Sequence, residues 1–184
     1  MAAIEGRTVR LRPLTREDAG SVFPWYNDPE IVSPHDRFAS ETYDEFVRSL
    51  EAARQDPVSL APRFGIERKE PRELIGVVGH YRPHPVLETV EVWYIIGRRD
   101  ARGRGHGREA VELLVDHLFR SETIERVGAT CDVANEPSVR LLERLGFRRE
   151  GTLRSALFHH GTWHDIHVYG ITRAESAARR VPPA

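Results

Sequence analysis

A glycine-rich turn at residues 102–107 restricts what this chain can fold into more than any other segment. It reads Arg-Gly-Arg-Gly-His-Gly and joins an apolar run at 90–96 to a helix-like segment at 108–120. A strand that passes through such a turn into a helix presents unpaired backbone N–H groups at the positive end of the helix dipole, which suits a pyrophosphate. The sequence therefore predicts a site for a phosphorylated cofactor at this turn.

The glycine spacing argues against two common nucleotide sites. A Walker loop ends in Gly-Lys-Ser/Thr, whereas this turn ends in Gly107-Arg108-Glu109 and lacks the lysine and the hydroxyl that such a loop needs. A dinucleotide fingerprint, G-x-G-x-x-G, stands near the start of a βαβ unit, but these glycines occur in mid-chain. Neither an NTPase nor a nicotinamide-dependent enzyme is expected.

A second motif lies downstream, where an alternating strand at 127–133 leads into a short helix. Asn135 is a good N-cap, Pro137 is tolerated in a first turn, and Gly146 is typical of the left-handed residue that ends a helix. Taken alone, these residues predict no more than a short capped helix.

The two motifs together resemble the GNAT superfamily of N-acetyltransferases. Arg102, Gly105 and Gly107 match Q/R-x-x-G-x-G/A, which is the acetyl-CoA pyrophosphate loop of that superfamily. Three further stretches are similar to its RimJ/RimL-type branch: residues 9–18, residues 25–30, and N-x-x-S-x-x-x-L-E-R-L-G-F at 135–147. The resemblance spans nearly the whole chain.

The order of elements predicts a single α+β domain, which suits 184 residues of which 40% are hydrophobic. Alternation and capping residues predict strands at 8–14, 63–68, 74–81, 89–96 and 124–133, a hairpin of 147–158 with 162–171, and helices from Thr15 to near Asn27, from Thr42 to Arg54 and over 105–120. The polar end from Arg173 is expected to fray, and we assign residues 1–174 to the domain and 175–184 to a tail. The resemblance implies a mixed, twisted sheet splayed into a V, with helices on both faces and the cofactor between the 89–96 and 124–133 strands.

Charge and composition limit the partners of the chain. It has 27 basic and 28 acidic residues and a net charge of −1, so no overall field attracts nucleic acid or an anionic membrane. No apolar stretch has the length of a signal peptide or membrane span, and a cytoplasmic protein is expected. The single cysteine, Cys131, excludes an internal disulfide, and its strand context predicts a buried, unreactive thiol. The oligomeric state is left open, with a homodimer among the alternatives.

The resemblance implies acetyl-CoA as the cosubstrate and no metal cofactor. The glycine turn follows one of the two cofactor strands and Asn135 follows the other, so both should face one cleft. The implied cofactor-binding residues lie at these strand ends and along the turn: Ile95, Ile96, Arg102, Gly103, Arg104, Gly105, His106, Gly107, Arg108, Asn135 and Ser138.

Acetyl transfer from a thioester requires an unprotonated amine. A primary amine, with a pKa of about 10, is mostly protonated at neutral pH, so a base must remove its proton directly or through water. Glu91 is the best candidate because it stands in an otherwise apolar strand, and related enzymes carry their base at about this place. The alternative for Glu91 is an edge carboxylate that only solvates the strand, and Glu88 is a weaker rival for the role.

The departing CoA thiolate needs a proton donor. Many enzymes of the superfamily use a tyrosine on the helix after the second cofactor strand, but Leu142 stands at the matching position here. RimJ/RimL-like enzymes place a serine close to the CoA sulfur, which corresponds to Ser138, and we expect this residue to be the thiolate partner. The alternative is a hydroxyl that only bonds the first helical turn. Tyr94 and Tyr169 are possible substitutes.

Four histidines, His159, His160, His164 and His167, suggest metal ligands at first sight. Because strand side chains alternate between faces, His164 and His167 should point in opposite directions, and no carboxylate or cysteine completes a convincing ligand set. The sequence therefore predicts no metal site.

The implied contacts with the acceptor amine are Tyr26, Asn27, His164 and Asp165. The last two belong to Trp163-His164-Asp165, which matches an aromatic-His-Asp stretch in the last strand of the family, near the acceptor mouth. The alternative for His164 and Asp165 is a polar pair that only satisfies the hairpin.

Three functions compete at this point. The first is RimJ/RimL-like transfer of acetyl to the N-terminal amine of a protein or peptide, by direct attack in a ternary complex. The second is the same chemistry on a small amine, such as an antibiotic, an amino sugar or an amino acid derivative. A slightly longer spacing from Glu91 to Gly105 than is commonest in the RimJ/RimL branch favours the second, as does the form of residues 95–100. The third is a non-catalytic acyl-CoA-binding module. The sequence does not identify the acceptor, because the loop at 32–41 matches no motif.

Overall fold

A computed structural model describes residues 3–28, 42–55, 63–83, 89–121, 123–159 and 161–179. Within these ranges the strands are β1 (Ile4–Glu5), β2 (Val9–Pro13), β3 (Arg63–Arg68), β4 (Glu73–Tyr81), β5 (Thr89–Ile96), β6 (Arg126–Asp132), β7 (Arg148–His159) and β8 (Thr162–Thr172). The α-helices are α1 (Ala19–Asn27), α2 (Tyr43–Gln55), α3 (His106–Ser121), α4 (Glu136–Arg144) and α5 (Arg173–Ala178). Short 3-10 turns at Arg16–Asp18 and Arg99–Ala101 precede α1 and the glycine-rich turn.

The strands form one mixed sheet in the order β1-β2-β3-β4-β5-β6-β8-β7. Neighbouring strands are antiparallel except β5 and β6, which run parallel. This parallel pairing covers only residues 89–91 against residues 126–128. Beyond these residues the two strands separate, so the centre of the sheet opens into a V. The predicted α+β fold with a splayed sheet is confirmed.

Helices cover both faces of the sheet, as predicted. On one face, α1 and α2 enclose an apolar cluster that includes Leu14, Val22, Phe46, Leu50 and Val77. On the other face, α3 and α4 pack against a larger cluster, which includes Val90, Val111, Leu114, Leu118, Val127 and Leu142. We call these sides the α1/α2 face and the α3/α4 face. No helix among the described residues is long and apolar enough to cross a membrane.

The end of the domain differs from the sequence prediction. A polar segment was expected to fray from Arg173, but residues 173–178 form the helix α5. The Thr172 hydroxyl accepts from the Glu175 N–H while the Glu175 carboxylate accepts from the Thr172 N–H at 2.9 Å, so the first turn is capped reciprocally. Ser176 is buried, which places α5 within the domain.

Half-buried charges tie β2 to β3 and to the turn before α1. Arg12 donates to both carboxylate oxygens of Asp18, at 2.7 and 2.8 Å, and through Nε to Glu67 at 2.8 Å. Arg10 also donates to Glu67, at 2.7 Å. Burial raises the pKa of both carboxyl groups, but the hydrogen bonds from Arg12, together with those from Thr15 to Asp18 and from Arg10 and Arg72 to Glu67, outweigh burial and leave both pKa values below their usual range.

We predict that Arg12→Ala lowers the free energy of unfolding by about 2 kcal/mol at neutral pH, because it leaves two half-buried carboxylates without their shared cation. Asp18 and Glu67 stabilise the fold above their unfolded pKa values of about 4, and this contribution is lost as pH falls through their lower folded values. The difference between parent and variant should therefore shrink in acid. Urea denaturation at neutral and at acidic pH measures both quantities.

Arg16→Ala is the matched control for this prediction. Arg16 pairs with Glu51 at 3.2 Å, but its side chain is 73% exposed. The loss of such an exposed pair should change the free energy of unfolding by less than about 0.5 kcal/mol. Equal destabilisation by the two substitutions would show that the buried network has no special weight.

Candidate active site

The glycine-rich turn connects the end of β5 to the start of α3. Gly103 and Gly105 have φ angles of 70° and 85°, in the left-handed region that favours glycine. Among the described residues, no atom lies within 4 Å of the position that a Cβ would occupy at either glycine. The His106 ring contacts the Ala101 carbonyl at 3.2 Å and anchors the turn. The turn thus presents the N–H groups at the start of α3 to open space.

A cleft of about 700 Å³ brings the turn and the second motif together, as the sequence predicts. Its walls are the end of β5, the turn, the start of α3 and one face of α4. The lining residues are Tyr94, Ile95, Ile96, Ala101, Arg102, Gly103, Gly105, His106, Gly107, Arg108, Asn135, Pro137, Ser138, Arg140, Leu141 and Arg144. Of the residues that the resemblance assigned to the cofactor, Arg104 is the one that lies outside this wall.

Sequence reasoning predicted Ser138 of α4 in this cleft but missed four other residues of that helix. Pro137, Arg140, Leu141 and Arg144 recur at intervals of three and four residues, which places them on one face of the helix. The same spacing in the sequence could have identified these four residues as one face of a helix. Together with Arg108, the two arginines of α4 make the wall cationic, which suits a ligand with several phosphate groups.

Arg102 has a structural role that its motif does not reveal. Its Nε donates to the Ile96 carbonyl at 3.0 Å, and its Nη2 donates to the Gly97 carbonyl at 3.3 Å. The guanidinium therefore caps the carbonyl groups at the end of β5 while its side chain lines the cleft. Trp25 packs on the same segment, since a Cβ at Gly97 would lie 2.0 Å from its indole ring.

Asn135 caps α4 as predicted, because its Oδ1 accepts from the Ser138 N–H at 3.2 Å. The Ser138 hydroxyl is not limited to the helical turn: it lies 2.6 Å from the hydroxyl of Tyr94, on the opposite arm of the V. Burial raises the pKa of Tyr94 well above its usual value, although the hydrogen bond with Ser138 opposes that shift. Tyr94 is therefore protonated at neutral pH, and the two hydroxyls form a hydrogen-bonded pair across the gap.

The other candidates for the proton donor or for a covalent role are buried. Leu142 is 1% exposed and belongs to the apolar core, so a tyrosine in its place would have to displace core side chains. The Tyr169 hydroxyl donates to Glu143 at 3.3 Å, and burial raises its pKa to about 12. Cys131 is buried, as predicted, and burial raises the pKa of its thiol to about 11, which makes it unreactive at neutral pH.

Glu91 lies on a central strand rather than at a sheet edge, because β5 pairs with β4 on one side and with β6 on the other. The Tyr81 hydroxyl donates to Glu91 Oε2 at 2.5 Å. Strand alternation places Glu91 and Trp93 on the α1/α2 face and Tyr94 on the α3/α4 face. The carboxylate and the hydroxyl pair thus flank the V from opposite faces. Glu88 lies outside the described residues.

Tyr26 and Asn27, the implied acceptor contacts at the end of α1, have different surroundings. The Tyr26 ring packs against Phe46 and Trp93, with centroid distances of 5.5 and 6.1 Å. The exposed Asn27 side chain donates to the Phe23 carbonyl at 3.0 Å. Tyr26 therefore lies beside β5 on the α1/α2 face, whereas Asn27 satisfies the last turn of its helix.

The structure does not bring His164 and Asp165 together, because they project from opposite faces of β8. Asp165 Oδ1 accepts from the Ser155 N–H at 2.8 Å and supports an irregular part of β7, where Ser155 has a φ angle of 48°. His167 lies on the face opposite to His164, as predicted, and its ring contacts the Thr152 hydroxyl at 2.9 Å. Asp165 thus has a structural partner rather than a place beside His164.

A carboxylate that the sequence analysis did not identify lies beside two of the histidines. Asp132, at the end of β6, accepts at Oδ2 from His159 Nε2 and from His164 Nδ1, both at 2.8 Å. The two imidazole rings stack with their centroids 3.7 Å apart. Burial would raise the pKa of Asp132, but hydrogen bonds from His159 and from a backbone N–H hold it below its usual value. We call these three residues the His-Asp cluster; His160 lies outside the described residues.

The chain is similar to a known protein family and to relatives of known name. A family model described as an acetyltransferase (GNAT) domain matches residues 8–148. The chain is 31% identical over 169 residues to a phosphinothricin N-acetyltransferase of Streptomyces viridochromogenes, which covers 88% of this chain and 86% of that relative. It is also 31% identical over 138 residues to a ribosomal-protein-serine acetyltransferase of Escherichia coli, which covers 71% of this chain and 75% of that relative.

The fold is shared with a solved structure of spermidine N-acetyltransferase from Vibrio cholerae in complex with CoA and spermine. Its TM-score is 0.83 at 24% identity, over 92% of this chain and 98% of that chain. The matching family and both relatives are acetyltransferases, which favours an enzyme over a non-catalytic acyl-CoA-binding module. The chain belongs to the GNAT acetyltransferase family and is an acetyl-CoA-dependent N-acetyltransferase.

Proposed function

We propose that the protein transfers acetyl from acetyl-CoA directly to the N-terminal amine of a protein or peptide, as a member of the RimJ/RimL-like branch. One observation carries the transfer chemistry: the gap between β5 and β6 has the cofactor cleft on the α3/α4 face and Glu91 on the α1/α2 face. Because the thioester is already activated, the enzyme has to align the two substrates, remove a proton from the amine and stabilise the departing thiolate. A covalent enzyme intermediate is unnecessary.

Acetyl-CoA binds in the cleft with its pyrophosphate on the N–H groups at residues 103–108. The exposed arginines Arg108, Arg140 and Arg144 supply positive charge along the same wall. At the other end of the cleft, Tyr94 and Ser138 mark the place where the thioester reaches the gap.

One proton transfer and one stabilising hydrogen bond follow from this placement. Glu91, oriented by the hydroxyl of Tyr81, takes a proton from the acceptor amine directly or through water. The Ser138 hydroxyl donates a hydrogen bond to the departing thiolate while Tyr94 donates to Ser138, so that two linked hydroxyls share the developing negative charge. This pair replaces the tyrosine that is absent at Leu142.

Exposed apolar side chains on the β7–β8 hairpin support a protein or peptide acceptor. At the tip of the β7–β8 hairpin, Phe158 and Trp163 are 42% and 62% exposed and their rings pack with centroids 5.3 Å apart. Leu153, which is 53% exposed, pairs with Ile166 and lies on the other face of the hairpin. Exposed apolar groups of this size favour contact with another macromolecule. The similarity to the ribosomal-protein-serine acetyltransferase points the same way.

A small amine is the second candidate, because the phosphinothricin N-acetyltransferase aligns with a larger share of this chain. Initial rates of CoA release with a panel of N-terminal peptides and a panel of small amines decide between the two acceptors. A kcat/KM at least about tenfold higher for the best peptide than for any small amine supports the first. The reverse ranking would replace the peptide by the small amine.

We predict that Gly105→Val weakens CoA binding at least tenfold, or roughly 1.4 kcal/mol. The substitution places a branched side chain at a left-handed residue and fills open space where the pyrophosphate approaches the backbone. Calorimetric titration with CoA measures the effect. Gly151→Val is the control, since Gly151 is exposed on β7 with open space at its Cβ position. Unchanged affinity in a folded Gly105→Val protein would mean that the cofactor binds elsewhere.

We predict that Glu91→Gln lowers turnover at neutral pH by about 10² or more while CoA binding persists, because the amide keeps the volume of the side chain and removes the base. The loss should diminish at high pH, where the amine deprotonates without help. Glu112→Gln, at an exposed position of α3, serves as the control. Equal turnover of Glu91→Gln and parent at pH 7 would remove Glu91 from the mechanism.

We predict that Ser138→Ala slows turnover by about one to two decades with little change in the acetyl-CoA dissociation constant, because it removes a hydrogen bond to developing charge. Tyr94→Phe should have a smaller effect, and the double variant should resemble Ser138→Ala alone, since Tyr94 acts through Ser138. Single-turnover rates of acetyl transfer test this order. Additive losses in the double variant would show that the two hydroxyls act separately.

A further inference from the structure

In the His-Asp cluster, Nε2 of His164 has no hydrogen-bond partner among the described residues. Nε2 of His164 is buried, although the His164 side chain as a whole is 21% exposed. Asp132 and His159 beneath it are 4% and 5% exposed at their side chains. A buried nitrogen left without a partner is uncommon in proteins and marks a place where a ligand can supply the missing group.

The geometry of the cluster does not fit a preformed tetrahedral metal site. Two imidazoles on one tetrahedral Zn²⁺, with Zn–N distances of about 2.0 Å, have ring centres about 5 Å apart. The rings of His159 and His164 are stacked at 3.7 Å with an angle of 21° between their planes. A metal held between these three residues would bind His164 through Nδ1, and the second N–H of such a histidine would need an acceptor, which His164 Nε2 lacks among the described residues.

Hydrogen bonding instead fixes the tautomer of His164. Asp132 uses Oδ1 to accept from the Ala134 N–H at 2.7 Å and Oδ2 to accept from both imidazoles. A carboxylate can only accept, so the proton of a neutral His164 resides on Nδ1, and Nε2 carries a lone pair. The stacked ring of His159 holds the orientation of His164 from one side.

The cluster lies on the acceptor side of the sheet. Glu91 pairs with Gly128 in the parallel ladder, and Asp132 is four residues further along β6, on the same face and about 13 Å away. The turn that follows Asp132 leads directly to the cofactor cleft, because the Asn135 N–H donates to the Asp132 carbonyl at 2.9 Å. Asp132 therefore borders the gap, while His164 lies on β8, on the side of β6 away from β5 but on the face from which the amine reaches the thioester.

We propose that His164 Nε2 accepts a hydrogen bond from an N–H or O–H group of the acceptor, next to the amine that attacks the thioester. Asp132 and His159 are positioning residues that keep the lone pair on this nitrogen. The inference rests on the proposed function, since it assigns part of the acceptor site. A peptide supplies the donor as its first backbone amide N–H, whereas a small amine supplies it as a neighbouring hydroxyl or second amine.

Steady-state kinetics of His164→Asn test this assignment. Asparagine keeps an N–H donor for Asp132 near the position of Nδ1 and removes the Nε2 acceptor. The KM for the acceptor should rise about tenfold, as expected for one lost hydrogen bond, while kcat and the KM for acetyl-CoA change little. His167→Asn, at the position of opposite orientation on the same strand, should leave all three values unchanged.

Acceptor analogues identify the donor group. With parent enzyme, a peptide methylated at its first backbone amide nitrogen should have a KM about tenfold higher than the unmodified peptide, and His164→Asn should not distinguish the two. If small amines are the substrates, the same comparison is made between amines with and without a neighbouring hydroxyl or amino group. A His164→Asn enzyme that retains the parental KM and the parental preference overturns the inference.

The tautomer can be measured without any acceptor. Nitrogen-15 chemical shifts of the histidine rings should show His164 protonated at Nδ1 and unprotonated at Nε2, and Asp132→Asn, whose amide can donate, should shift the proton toward Nε2. A parent protein with the proton on Nε2 contradicts the assignment even if acetyl transfer is confirmed. Stoichiometric Zn²⁺ binding to parent that is lost in His159→Asn would also overturn it in favour of a metal site. Failure of the parent to acetylate any amine refutes the proposed function, independently of the tautomer.

Discussion

The separation of β5 from β6 is the constraint on which the rest of this enzyme depends. The two strands pair only through residues 89–91 and 126–128, although each continues to pair with its other neighbour. Each strand therefore has backbone N–H and C=O groups that face the gap without a strand partner, and such groups require hydrogen bonds from a ligand or from water. A cofactor that carries amide groups can satisfy them, so the gap is at once a break in the sheet and a binding surface.

The features that hold the V open come from both faces of the sheet. Arg102 caps the carbonyl groups at the end of β5, and Trp25 covers Gly97 just beyond. Across the gap, Asn135 starts α4, which turns the chain away from β6 before the strands can pair again. The hydrogen bond between Tyr94 and Ser138 then joins the two arms at one point. A few local contacts thus determine the width of the opening.

Local chemistry explains which parts of the fold could be predicted. The bounds of β3 and β5 agree with the sequence prediction because alternation and flanking turns define them, and α2 starts where Thr42 and Glu45 form their capping box. The helix α5 was missed because it is short and polar, and its stability depends on packing at Ser176 as well as on its capping box. Pattern alone underestimates elements that tertiary contacts complete.

The candidate site divides in the same way. The glycine turn and Asn135 could be predicted because local backbone geometry requires these residue types, glycine in a left-handed turn and asparagine at a helix cap. The His-Asp cluster joins three strands, so it depends on the register of β6 against β8 and on the β7–β8 hairpin, which no local pattern specifies.

This division has a physical consequence for how the enzyme selects its substrates. In the proposed mechanism the cofactor side consists of a turn and helix ends that recognise phosphate through backbone groups, and these tolerate many side chains. In the proposed mechanism the acceptor side has Glu91 on the central strand β5 and His164 on β8, next to the edge strand β7, and the strands on either side restrict both side chains. A polar group held rigidly in this way discriminates between acceptors by the hydrogen bond that it can or cannot form, because an unmatched buried partner costs more than a matched one contributes. On this proposal, acceptor choice depends on strand register, and cofactor binding on local turn geometry.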